Sequence, residues 1–220
     1  MGTSFVDPSF LGSVGPSGFT RQLERLALHL GFSDVANIDG SYDQGGDLPA
    51  TRNGRRWVFQ AKWKLTGLAS PSALDEVIRA KAYYNADHAV VVTNTHFGPW
   101  ARKRQKELSA AGIRVELWGG SELSDLYAGY TSQRLPAREL RPYQLAAFEG
   151  VIGDLEGTGR SLLILATGLG KTVVGGEVIS RFFMRKPDAR VLVVAPTKEL
   201  VEQLERSLWH HVPKSVRTRC

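Results

Sequence analysis

The fold turns on two stretches, Asp43-Gln44-Gly45-Gly46-Asp47 and Arg56-Trp57-Val58-Phe59-Gln60-Ala61-Lys62-Trp63. The first reads as a turn, with glycines between acids. The second alternates aromatic or aliphatic with polar residues, the period of a β-strand. Positions i and i+2 of a strand project from one face, so Gln60 and Lys62 point together. A hairpin connection would set Asp47 beside them. A carboxylate and an amide oxygen are hard ligands for Mg2+, and an ammonium group beside them can orient a water. Glu24, on the first helix, is the candidate second acid. Asp-Gly-Gly turns and Gln-x-Lys strands are also common in proteins without such chemistry.

Working outward, apolar residues at 19, 23, 26, 27 and 30 recur at helical spacing up to Gly31. Residues 1–17, rich in Gly, Ser and Pro, read as a flexible N-terminus. Val35 to Ile38 is a short strand candidate. Ser70-Pro71-Ser72 opens a helix to about Ala86, His88 to Thr93 is a buried-type strand, and Trp100 to Ala111 a charged helix. Ile113 to Trp118 is a further strand, followed by a short helix from Ser121 to Tyr127. Strands alternating with helices imply an α/β sheet covered by helices. Trp57, Phe59 and Trp63 read as packing aromatics, with base stacking as the alternative. Arg102, Lys103, Arg104 and Lys106 form a basic run, either a solvated helix face or a phosphate contact.

After a polar linker at 131–138 a second α/β pattern begins. Pro142 to Leu155, Lys171 to Met184 and Lys198 to His210 read as helices, and Ser161 to Leu165 and Val191 to Ala195 as strands. Between the first such strand and its helix lies Ala166-Thr167-Gly168-Leu169-Gly170-Lys171-Thr172. The backbone amides of such a loop and the helix N-terminus can cradle a phosphate chain. Lys171 would reach the β and γ phosphates, and the Thr172 hydroxyl would hold Mg2+. The strict motif wants Gly where Leu165 stands. Two strands do not make a P-loop sheet, so unpaired edges and uncovered apolar surface are expected there.

Composition bounds these readings. The chain has 220 residues, 42% hydrophobic and 23% charged, the balance of a globular protein with one or two domains. No apolar run approaches the ~18 residues of a membrane span. The start lacks signal-peptide features, and the only cysteine is Cys220, so a cytoplasmic protein without disulfides is expected. The net charge is +6, distributed as +1 over residues 1–130 and +5 over 131–220. That excess alone does not establish a polyanionic partner.

The order of elements adds a resemblance. A helix with Glu24, the DQGGD turn, VFQAKW at 58–63, VVVTN at 90–94 and IRVELW at 113–118 together resemble the Mrr-like restriction endonucleases, the D…QxK branch of the PD-(D/E)xK nuclease superfamily. The resemblance covers roughly residues 18–128. It implies a restriction-endonuclease-like mixed sheet flanked by helices, and Mg2+-dependent hydrolysis of DNA. Asp47, Gln60, Lys62 and Glu24 would be catalytic, with Asp47, Gln60 and Glu24 on the metal. LRPYQ at 140–144, the ATGLGKT loop and VLVVAPTKELVEQ at 191–203 resemble superfamily 2 helicases, most closely type I and type III restriction motors. That implies an incomplete RecA-like P-loop domain. Arg141, Gln144, Thr167, Gly168, Leu169, Gly170, Lys171 and Thr172 would bind ATP, and Pro196 and Thr197 would touch DNA.

The expected organisation is therefore a nuclease domain at 18–130, a linker at 131–138, and the first part of a helicase lobe at 139–220. The activity expected is DNA cleavage coupled in relatives to an ATP-driven motor, in restriction or anti-phage defence. The alternatives are a non-catalytic DNA- and nucleotide-binding module or an inactive fragment. No acidic motor box follows residue 200, so ATP hydrolysis by this chain alone is not expected. DNA and ATP are the expected partners, with a homodimer or further restriction-complex subunits as additional ones.

Overall fold

The hairpin that the acid–amide pairing requires is present, and its turn is Asn53-Gly54. Both residues hold positive φ, 51° and 72°. That backbone matches the right-handed twist of paired strands and is open chiefly to Asn and Gly. It joins β1 (Leu48–Arg52) to β2 (Arg55–Lys62), antiparallel, in a register running from Leu48 opposite Phe59 to Arg52 opposite Arg55. Strand β1 has no counterpart in the sequence reading, because Leu-Pro-Ala-Thr-Arg lacks a β-rich apolar pattern. The structure, a computed structural model, describes residues 4–38, 46–130, 132, 135–136 and 139–220. Asp43 and most of the 131–138 linker lie outside them. The chain falls into two compact units, Met1–Thr131 and Ser132–Thr218.

In the first unit, α1 (Pro8–Ser13) and α2 (Gly15–His29) precede the hairpin. Then come α3 (Ser72–Tyr83), β3 (His88–Thr93), α4 (Pro99–Ala110), β4 (Val115–Trp118) and α5 (Gly120–Gly129). The sheet order is β1-β2-β3-β4, with β2, β3 and β4 parallel. Parallel neighbours need crossovers, which α3 and α4 supply.

Side-chain alternation divides the core in two. Phe59, Val90, Val92 and Trp118 pack with Phe19, Leu23 and Leu26 of α2 and with Leu123 of α5. Val58, Ala89, Val91 and Leu117 pack with Ala73, Leu74, Val77 and Ala80 of α3 and with Ala101 and Leu108 of α4. The HAVVVT run is buried on both faces, as a central parallel strand must be. Gln60 and Lys62 have the parity of Val58, so they lie on the face covered by α3.

Two expectations are corrected here. Much of the N-terminal segment is helical rather than flexible. Asp7 caps α1 by accepting from the Ser9 and Phe10 amides at 3.0 and 3.2 Å, and Phe5, Val6, Phe10 and Leu11 are buried. Val35 to Ile38 is not a full strand. It follows β1 through amide bonds from Ala36 to the Pro49 carbonyl and from Ile38 to the Asp47 carbonyl, each 3.1 Å.

In the second unit α6 (Pro142–Thr158), α7 (Lys171–Arg185) and α8 (Lys198–Leu208) lie where helices are expected. The two expected strands do not form: among the described residues, 161–165 and 191–195 carry no ladder. Leu162 and Ile164 are each 81% exposed, Leu192 87% and Val194 79%. Strand conformation of this apolar kind is held by pairing within a wider sheet, and among the described residues these segments have no sheet to join. The uncovered apolar surface expected from the sequence is thus present.

Candidate active site

Asp47 stands just before β1, one step beyond the Leu48–Phe59 pair, and so faces Gln60 across the hairpin. Its amide donates to the Phe59 carbonyl at 2.9 Å. Its Oδ2 accepts from the Gln60 side-chain amide at 2.8 Å and from the Ala61 backbone amide at 2.5 Å. The carboxylate thereby continues the β ladder past the end of the strand. Both residues are buried, at 5% and 3% exposure. Because the Gln60 nitrogen is spent on Asp47, its Oε1 is left buried with no hydrogen-bond partner among the described residues. A buried carbonyl oxygen left unpaired costs about 1–3 kcal/mol, a cost that a cation or a water at this oxygen would remove. The donor set, a carboxylate oxygen and an amide oxygen, suits a hard divalent cation that keeps several waters.

Lys62 shares the face of Gln60 and makes an ion pair with Glu76 of α3, each side chain about a quarter or less exposed. Burial pushes the Glu76 carboxyl up. Hydrogen bonds from Lys62 and Ser72, with the charges of Lys62 and Arg79, outweigh that and hold it below the ordinary carboxylate value. The end of β2 is fastened by β3 and its continuation. Thr93 donates its hydroxyl to the Lys62 carbonyl at 2.8 Å. The Asn94 side chain accepts from the Lys64 amide and donates to its carbonyl, both at 2.8 Å. Thr93 and Asn94 are buried.

The structure thus pairs Asp47 with Gln60 and sets Lys62 on the same strand face as Gln60. Glu24 stands on α2 instead. It is buried there, and α2 covers the opposite face of the sheet. Strand alternation separates it from Gln60 and Lys62. Among the described residues no group of three or more His, Cys, Asp or Glu side chains forms a metal cluster. Glu76 was missed by the sequence reading. A signal existed: it stands between Ala73, Val77 and Ala80 on α3, at the border of the buried stripe.

In the second unit Gly168 and Gly170 hold positive φ, 81° and 84°, and α7 begins at Lys171. Lys171 donates to the Leu165 carbonyl at 2.8 Å and to the Ala166 carbonyl at 3.2 Å, folding its ammonium over the loop. Gln144 is buried beneath the loop, donating to the Leu169 carbonyl at 3.0 Å while its Oε1 accepts the Arg141 amide at 3.0 Å. Tyr143 donates to the same Leu169 carbonyl at 3.3 Å. A side chain at position 170 would meet the Gln144 nitrogen at 2.5 Å, so the close approach requires glycine. Arg141 is the N-cap residue of α6 and exposed, Thr167 lies within the loop, and Thr172 lies in the first turn of α7. Thr197 caps α8, accepting the Leu200 amide at 3.3 Å, with Pro196 just before it.

The sheet thus carries an acid and an amide paired across one hairpin, with a lysine on the same strand face. A family model described as "Restriction endonuclease", Mrr_cat, matches residues 11–127, more than half of the chain, and the chain belongs to that family. A second model, "Type III restriction enzyme, res subunit", matches residues 137–219. Among curated proteins, the type I restriction enzyme EcoAI endonuclease subunit of Escherichia coli is 33% identical over 105 residues, covering 42% of this chain and 13% of that protein. The Fanconi anemia group M protein of Gallus gallus is 42% identical over 66 residues, covering 30% of this chain and 3% of that protein. The chain therefore matches only a small part of the length of either relative. A solved structure of a protein of unknown function, AF1548, aligns with a TM-score of 0.37 at 17% identity, covering 71% of this chain and 93% of that one. Among the described residues no helix is long and apolar enough to cross a membrane.

Proposed function

We propose that the first unit is a Mg2+-dependent DNA endonuclease, with its catalytic domain at 18–130, and that residues 139–220 are part of an ATP-binding, RecA-like motor lobe. The whole would serve restriction or anti-phage defence in the cytoplasm. One observation carries the nuclease reading: the buried Asp47–Gln60 pair presents an unpartnered amide oxygen on the same strand face as Lys62. Asp47 and Gln60 would hold the cation, which when bound shields the phosphate and stabilises charge on the leaving oxygen. Lys62 supplies a mobile positive donor to the phosphate or to the attacking water. The Ala61 amide holds the Asp47 carboxylate in place. The hairpin and the Thr93–Lys62 bond keep these groups in register.

The nucleotide reading is supported by the Gly168–Gly170 loop opening α7, whose amide-rich end can receive phosphate. Lys171 would exchange its loop carbonyls for phosphate oxygens. DNA is the macromolecular partner, and a second copy or further restriction subunits would supply the opposite-strand cut.

Supercoiled plasmid incubated with Mg2+ tests the reading. Wild type converts it to nicked or linear forms, and Asp47→Ala, Gln60→Ala and Lys62→Ala each lower the rate by about 100-fold or more. Equal rates in all four proteins, or DNA binding without cleavage in wild type, would refute the catalytic assignment.

A further inference from the structure

We infer that Glu76 is the positioning residue of the proposed nuclease site, holding the Lys62 ammonium on the side of the Asp47–Gln60 pair. The inference rests on the nuclease reading above and deepens it. Strand parity puts Gln60 and Lys62 on the face covered by α3. Glu76 lies at the edge of the α3 stripe that packs on this face, one turn after Ser72 and near Arg79. Its carboxylate pairs with Lys62.

An exposed lysine explores many rotamers, and immobilising it costs up to about 2 kcal/mol of side-chain entropy. A surface partner on a mobile side chain rarely repays that cost. Here the conditions differ. Lys62 is 25% and Glu76 21% exposed, and both stand on rigid elements that share one core. The two residues are 14 positions apart in sequence, so this is no local helix pair. It exists only because the β2–α3 connection returns α3 over β2. Glu24 is the acid expected on the metal, whereas Glu76 stands on the lysine. Its observed partner is the lysine, so its part is to orient Lys62.

The test uses the full chain with Glu76→Gln and Glu76→Asp, read in two ways. Steady-state plasmid cleavage with Mg2+ should show kcat lowered between about 10- and 100-fold in Glu76→Gln. KM for DNA and the Mg2+ half-saturation point should stay near wild type, and Glu76→Asp should recover part of the loss. Reductive methylation followed by mass spectrometry reads Lys62 without any cleavage. Lys62 should react several times faster in Glu76→Gln than in wild type, with the other lysines unchanged. Equal Lys62 reactivity in both proteins overturns the inference, whatever the cleavage rates. Faster Lys62 labelling with unchanged kcat also overturns it. If wild type cleaves nothing, the nuclease reading fails, and the labelling alone decides whether Glu76 holds Lys62.

Discussion

Gln144 donates its side-chain amide to the carbonyl of Leu169 at 3.0 Å, fastening the start of α6 to the glycine-rich loop before α7. The same side chain receives the Arg141 amide through its Oε1. One buried amide therefore secures both a helix start and the glycine-rich loop.

Gln144→Ala removes its bonds to the Leu169 carbonyl and the Arg141 amide, which Tyr143 and solvent can partly replace, at a cost of about 0.5–1.5 kcal/mol. Faster hydrogen exchange across residues 165–171 and weaker binding of a fluorescent ATP analogue are the expected readouts. Unchanged exchange there would show that the loop holds itself.

The Asn53-Gly54 turn sets the register that brings Asp47 to Gln60. Gly54 sits at φ 72°, where a Cβ is strained although space around it is open. Gly54→Ala should lower unfolding free energy by about 1 kcal/mol in urea denaturation, while Asn53→Gly should be close to neutral.

Glu122, in the first turn of α5, offers a pH test. Burial raises its carboxyl pKa, but hydrogen bonds from Arg102, Ser121 and the Gly119 and Glu122 amides overcome this and lower it below 4.5. A depressed carboxyl stabilises the fold above its unfolded value, and the contribution disappears as pH falls through the lowered folded value. Glu122→Gln should therefore cost about 0.5–1 kcal/mol at pH 7, discounted for partial exposure. In thermal melts the difference from wild type should close under strongly acidic conditions.

Helix α4 presents Arg102, Lys103 and Lys106 around a cleft of about 480 Å³ that Phe97 and Pro99 complete. Arg102 is engaged by Glu122 at 3.0 Å, whereas Lys103 and Lys106 make no ion pair among the described residues. If these lysines meet phosphates, Lys103→Ala and Lys106→Ala each weaken binding of unrelated duplexes alike. Each also lowers the slope of log affinity against log salt by about 0.9. Fluorescence anisotropy at several salt concentrations measures this, and an unchanged slope assigns both to a solvated face.

What the sequence by itself determined is local. Gln60 and Lys62 share a face because strand side chains alternate, and no partner is needed to know it. The TGLGKT loop is likewise legible locally, as two glycines before a helix, although Gln144 of α6 also fastens it. Leu48–Arg52 was not legible from its residue types, although Asn53-Gly54 announces the hairpin that pairs it. The tertiary structure decided which carboxylate meets the lysine. Glu24 and Glu76 both lie on helices, but crossover geometry lays α3 on the face of Lys62 and α2 on the other. It also decided the state of the apolar runs at 161–165 and 191–195, which carry strand-like sequences yet form no ladder. A strand is a relation between segments, and only the assembled chain shows whether a neighbour is there to pair.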